Sequence, residues 1–328
     1  MTGVFAVVAA VASGCSSSPA DSPPPTIPVA SPAVSPPVTG VSDGVVHQLS
    51  EPGTAATFDI RTSSLVVLGP ADRLTVLPRT GESYTIALPA AATALTGDGS
   101  GEVWLAVRGG YLRVNVAAAA ATPVEVEGRA DTDFTAITRH ADGRLVLGSA
   151  DGTLYTLGSD TTVAAELKKF ARVDVLVAQD DSVVVLDRGQ TSVTEIDSAG
   201  TGAEQALRAG EGATMMATDP AGRVLVTDTR GGALLVYGTE PLILRQRFPV
   251  HDAPYGVTGS ADLAWVSQTA TNTVVGYDLA TGIPVEKVRY RTVQQPDTLA
   301  FDDATNTLYV VSGSGAGVQV ITGAAPNR

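Results

Sequence analysis

The sequence predicts an all-β fold: a seven-bladed β-propeller closed by an N-terminal strand that completes the last blade. Three observations carry this. One phrase, an apolar run, a polar turn and a second apolar run, recurs seven times. Its period stays near 40 residues. The last copy lacks a strand that the stretch ahead of the first copy can supply.

The copies start at Thr54, Ala92, Phe134, Val173, Ala213, Pro254 and Pro296. Anchored on the first apolar residue after each first turn (Leu65, Val103, Leu145, Val183, Val224, Leu263, Leu308), they are spaced 38, 42, 38, 41, 39 and 45 residues apart. Such a period belongs to propellers and to some helical arrays, and the local pattern decides between them. Runs rich in Val, Leu, Thr and Tyr are separated by clusters such as Asp219-Pro220-Ala221-Gly222 and Arg230-Gly231-Gly232, the signature of short strands and tight turns. No stretch keeps a helical period. The Ala117–Ala121 run is too short to sustain a helix and reads as an outer loop.

Within each copy the runs are graded. The first, such as "TAATFD", "VLVAQD" and "YGVTGS", are mostly Ala, Thr, Val and Gly and predict a bland channel wall. The second, "LVVLG", "VVVLD" and "LYVVSG", are apolar without alternation, as expected of a strand covered on both faces. The fourth, such as "VAAELKKF" and "PVEKVRY", are polar and suit an outer strand with one edge in water. The seventh copy stops after its third run, near Thr322, while "DGVVHQLSEPG" (Asp43 to Gly53) stands before the first copy as an orphan fourth strand. Pairing the two closes the ring. An open ring would leave two apolar blade faces wet, at about 1.5–3 kcal/mol per large aliphatic side chain.

The stretch "AWVSQTATNTVVGYDLATGIPVEKVRYRTVQQPDTLAFD" resembles the YVTN-type propeller repeat, and "DPAGRVLVTDTRGGALLVYG" is similar to an NHL-type repeat. The resemblance implies structural roles: Asp278, Thr281 and Gly282 build a turn, and Pro254 and Pro296 set up innermost strands. Trp104 and Trp265 fall on second strands and read as core.

Ahead of the propeller the chain opens "MTGVFAVVAAVASGCSSSPADSPPP". An apolar segment, Val4 to Ala12, is too short to span a bilayer and ends in small residues, as a cleaved export signal does. Residues 1–10 hold no Lys or Arg, a departure from the usual signal. Ala12-Ser13-Gly14-Cys15 resembles the lipobox of bacterial lipoproteins, which implies cleavage before Cys15 and its acylation, an anchor on the extracytoplasmic face of the cell membrane. The balance of Ala, Val, Thr and Asp points to a high-GC bacterium such as an actinobacterium. Between Ser16 and Gly40 stand eight prolines. Because proline removes amide donors and fixes φ, this segment predicts a disordered, polyproline-like stalk. The expected organisation is a signal peptide at 1–14, a lipidated linker at 15–42 and a propeller at 43–328.

The function classes narrow by charge. With 34 acidic against 21 basic residues the net charge is −13, which argues against nucleic acid. The loops leading into first strands and those joining second to third strands form one channel mouth. From these loops we take Asp133, Asp174, Arg188, Arg230, His251, Asp252, Tyr255 and Asp297 as candidate ligand-binding residues, mixed in charge and suited to a polar or sugar-like ligand or a protein loop. The alternative is that Asp in such loops only caps turns. The three histidines, His47, His140 and His251, fall on an outer strand, on a turn of the other face and in a loop, so no zinc site is expected. No nucleophile elbow, Walker loop or dinucleotide fingerprint is present, and no cofactor is expected. The expected protein is a monomeric, non-catalytic binding or scaffold module for an envelope protein or glycan. The competing expectation is a propeller enzyme of lactonase, lyase or sugar-dehydrogenase type.

Overall fold

The computed structural model describes residues 24–49, 51–70 and 72–326. Seven four-stranded antiparallel sheets follow one another in chain order as blades 1 to 7. Their first strands are Ala55–Asp59, Ala92–Gly97, Phe134–Arg139, Val175–Gln179, Ala213–Asp219, Pro254–Gly259 and Pro296–Asp302. These line the channel. Among the described residues no helix is long and apolar enough to cross a membrane.

The second strands explain their unbroken apolar pattern. Leu65 and Val67 of blade 1 pack toward blade 7, whereas Val66 and Leu68 pack toward blade 2. In blade 4, Val183 and Val185 face blade 3, and Val184 and Leu186 face blade 5. Successive side chains of a strand leave on opposite sides. In a blade both sides meet another sheet, so the polar half of the usual alternation disappears. The outer strands Ile243–Pro249 and Val285–Arg291 expose every second residue or more, as their polarity predicts. Trp104 and Trp265 are both buried on second strands.

Closure follows the predicted scheme. Val45–His47 adds to the edge of Val318–Thr322 in blade 7, with Val45 opposite Val320, Val46 opposite Gln319 and His47 opposite Val318. Sealed in this way, the last interface carries Leu65, Tyr309 and Val311, and Phe58 stacks on Tyr309 at 5.4 Å. Gln319, fully buried, fastens the junction. Its Oε1 accepts the Val293 amide at 2.9 Å, and its Nε2 donates to the Asp43 and Arg291 carbonyls at 2.5 and 2.8 Å.

Turn chemistry accounts for several Asp residues. The buried Asp228 accepts the amides of Glu211, Gly212 and Gly231. Asp187 does the same for Ala171, Arg172 and Gln190. Each carboxylate thereby ties the loop leading into its blade to the turn after its second strand. Asp278 accepts the Ala280 amide in the turn named from the sequence, and Pro254 and Pro296 do head first strands. One boundary moves. Of the alanine run, 116–119 forms the turn with its neighbour, and Ala120 already begins the outer strand Ala120–Glu125.

The largest difference from the sequence reading lies ahead of the closing strand. Within the described part of the expected stalk, residues 24–40 lie against the propeller and pair with no strand. The physical reason is that proline removes amides but leaves carbonyls. An extended proline-rich chain presents a row of acceptors, and this face of the propeller presents donors. Cys15 and the expected signal lie outside the described residues.

Candidate functional site

The channel encloses about 540 Å³ and is walled by the first strands. Ala55, Ala56, Thr57, Thr93, Ala94, Val177, Ala178, Gly256 and Thr258 give it the bland lining expected. Charged groups gather at its ends. Asp174 precedes the first strand of blade 4, and Tyr255 and Asp297 are second residues of their first strands; Arg188 follows the second strand of blade 4. These four therefore share one mouth. Arg139 closes the first strand of blade 3 and so belongs to the opposite mouth, where it pairs with Asp98 at 2.6 Å and lies over the Trp104 ring at 5.0 Å.

At the first mouth Asp174 accepts the Arg188 amide at 2.8 Å and the Arg172 side chain at 3.1 Å. Burial pushes its carboxyl above the usual range in spite of these bonds. Asp297 is pushed up to about 6, again by burial, with the bond from Gln295 at 2.9 Å opposing the shift. Burial likewise raises the Tyr255 phenol, more than the nearby Arg188 guanidinium lowers it. The mouth thus holds two carboxyls that resist ionisation and a guanidinium whose Nε is buried without a partner.

The segment 27–36 crosses this mouth. Arg230 donates to the Pro28 carbonyl at 2.6 Å and Arg188 to the Ala30 carbonyl at 2.6 Å. Gln295 reaches the Ala33 carbonyl at 3.1 Å, Gln294 the Ser35 carbonyl at 3.1 Å and Asn272 the Pro36 carbonyl at 2.7 Å. In return the Ala33 amide donates to Thr269 Oγ1 at 3.1 Å and the Ser35 amide to Gln295 Oε1 at 3.0 Å. The Ser35 hydroxyl donates to the Thr269 carbonyl at 2.6 Å, and the Ile27 amide to the Gly189 carbonyl at 2.8 Å. Of the segment's side chains only Ala30 and Ser35 are buried.

The eight candidate residues therefore divide. Asp174, Arg188, Tyr255 and Asp297 converge on the channel. Arg230 stands beside them and holds the crossing segment. Asp133 does not join them: it is exposed and paired with Arg108 at 2.6 Å. His251 and Asp252 are exposed in the loop ahead of blade 6, and neither lines the channel. A loop position alone cannot tell a side chain turned inward from one turned to solvent. Sequence reasoning missed Gln294, Gln295 and Thr269. A signal existed for the first two, since "TVQQPD" is the only one of the loops leading into first strands to carry two adjacent glutamines. The backbone at the mouth is also unusual: Asp252, Ala253, Asn272 and Gln295 all have positive φ, between 51° and 64°, a strained geometry for such residues. Among the described residues no group of three or more His, Cys, Asp or Glu side chains could hold a metal ion.

Fold and site together define a seven-bladed β-propeller with one strapped mouth. No family model and no curated sequence matches the chain. Solved structures do. A streptogramin B lyase is similar at 12% identity, covering 84% of this chain and 96% of that one, with a TM-score of 0.69. A catalytically inactive His-to-Ala variant of virginiamycin B lyase from Staphylococcus aureus, with quinupristin, is similar at 14% identity, 85% and 98% coverage and a TM-score of 0.70. Hydrazine synthase of Kuenenia stuttgartiensis is similar at 13% identity, 87% and 99% coverage and a TM-score of 0.67. At such identities the likeness establishes the fold alone.

Proposed function

We propose that the protein is a bacterial lipoprotein, anchored through Cys15 to the extracytoplasmic face of the cell membrane, whose YVTN/NHL-type propeller is a non-catalytic binding module for an envelope protein or glycan. The observation that carries this reading is the mouth face. It grips a chain through side-chain donors aimed at main-chain carbonyls, which is the geometry of recognition. The net charge of −13 supports a partner other than nucleic acid. Photocrosslinkers placed at the mouth, for instance at Asp252, and on the outer strands, for instance at Glu204, test it in cells by mass spectrometry of neighbours. The reading expects one recurrent partner from the mouth position and none from the outer one. Equal, non-specific labelling from both sites contradicts it. Cys15→Ala should move the protein from the membrane to the soluble extracytoplasmic fraction.

A second reading, a propeller enzyme, draws on the lyases among the solved neighbours and on Asp174, Arg188, Tyr255 and Asp297 gathered at one channel end. No histidine lines the channel here: His47, His140 and His251 all lie outside the wall. Turnover of quinupristin or of a lactone by purified protein, abolished by Arg188→Ala, would favour this second reading.

A further inference from the structure

The crossing segment and the groove under it match each other in a way that ordinary strand pairing does not. A β-strand offers donors and acceptors in equal number. Here five side-chain donors meet carbonyls of residues 28–36, while side chains accept only two of its amides. Both of those amides belong to non-proline residues, Ala33 and Ser35. A groove with this donor excess selects a chain poor in amides and extended, which is a polyproline-type peptide.

Size is read as well. Ala30 and Ser35, five positions apart, are the two side chains that enter the surface. A Cβ at Gly212 would stand 3.0 Å from the Ala30 Cβ and 2.8 Å from that of Arg230, so the glycine is what lets the segment approach, and a larger residue at 30 has no room. The prolines at 28 and 36 stay exposed and are read through their carbonyls. The fit is also incomplete. Arg188 Nε is buried and unpartnered beneath the segment, a donor that a ligand with one more acceptor would satisfy.

We propose that this groove is a recognition site for extended proline-rich peptides with small residues five apart, filled in cis by residues 27–36 and taken in trans by a proline-rich segment of another envelope protein. The proposal rests on the reading of the mouth as the binding face and names the partner's chemistry. The cis segment competes because it is tethered, at an effective concentration in the millimolar range, so the trans ligand binds when the segment is released or outmatched.

The test uses the full chain with Ala30→Leu and Ser35→Pro, which removes the fit at 30 and the amide and hydroxyl at 35 while leaving the propeller intact. The probe is a fluorescent peptide with the sequence of residues 24–40, read by anisotropy. An unchanged urea midpoint establishes that the variant is folded. The expected result is binding at least ten-fold tighter than to the wild-type chain. Adding Arg230→Ala and Gln295→Ala to the released variant should weaken it ten-fold again. Binding no tighter than to the wild type, or binding indifferent to Arg230 and Gln295, overturns the proposal. A concentration-dependent wild-type dimer in sedimentation that the released variant loses would assign the groove to a second copy and also overturn it. The assay needs neither the lipid nor a cellular neighbour, so its failure leaves the lipoprotein reading standing. Intact peptide binding without mouth-specific crosslinks would instead remove that reading alone.

Discussion

Residues 27–36 and residues 43–47 lie a few positions apart in the chain, and both end against the propeller. Val45–His47 is held by a main-chain ladder to Val318–Thr322, backed by Gln319. The crossing segment makes one main-chain bond, from Ile27 to Gly189, and is otherwise held by side-chain bonds: five from side chains of blades 4 to 7 to its carbonyls, two accepted from its Ala33 and Ser35 amides, and one from its Ser35 hydroxyl. The difference traces to proline. A chain with its amides intact can become a strand of the fold, whereas one broken every fourth residue by Pro28, Pro32 and Pro36 cannot ladder and is grasped instead. The first kind of attachment is inseparable from folding. The second can open while the propeller stays closed.

That contrast can be broken at its strong side first. Gln319→Leu leaves the Val293 amide and the Asp43 carbonyl without their partner, while the Arg291 carbonyl keeps only the Asp43 amide, and burying unsatisfied groups costs about 1–3 kcal/mol each. A loss of roughly 3 kcal/mol in urea unfolding is expected, with the closing strand and blade 7 failing together.

The mouth gives a smaller, pH-dependent effect. Asp297 has its carboxyl raised to about 6 by burial, above the unfolded value near 3.8. At pH above 6 the native state carries the buried charge at a cost. As pH falls from 6 toward 4 the native state takes up a proton that the unfolded chain does not, and stability rises. Asp297→Asn should therefore stabilise the protein by about 1–2 kcal/mol at pH 7.5 and leave it unchanged at pH 3.5, measured by urea midpoints at both pH values.

The smallest effect sharpens the weak side. Ser35→Ala removes the bond to the Thr269 carbonyl, worth about 1 kcal/mol. Hydrogen exchange of the Ala33 and Ser35 amides should speed up about five-fold, with the global unfolding midpoint unmoved.

Much of the architecture was legible because it rests on periodic features. The near-40-residue repeat, the doubly covered second strands and the missing last strand are local or arithmetic, and closure at Val45–His47 follows from them. The site was half legible. Asp174, Arg188, Tyr255 and Asp297 stand at strand ends, where topology alone aims them at the channel. Asp133, His251 and Asp252 sit in loops whose side-chain direction depends on backbone angles that spacing does not encode, the positive φ of Asp252 among them. The crossing segment was hidden for a different reason. Its composition argues correctly that it can form neither helix nor sheet, but says nothing about donors some 160 to 260 residues away, at Arg188, Arg230, Asn272, Gln294 and Gln295.

The strap is held at the mouth by side chains, while the ring closes independently of it. Amide hydrogen exchange, followed residue by residue in the wild-type chain and in the Arg230→Ala/Gln295→Ala variant, tests this directly. The expected result is slowed exchange at Ile27, Ala33 and Ser35 in the wild type. In the variant that protection should be lost at all three positions, while the His47 amide, in the ladder opposite Val318, keeps its own. Free-chain exchange at Ala33 and Ser35 in the wild type, or loss of protection at His47 together with the strap, would contradict it.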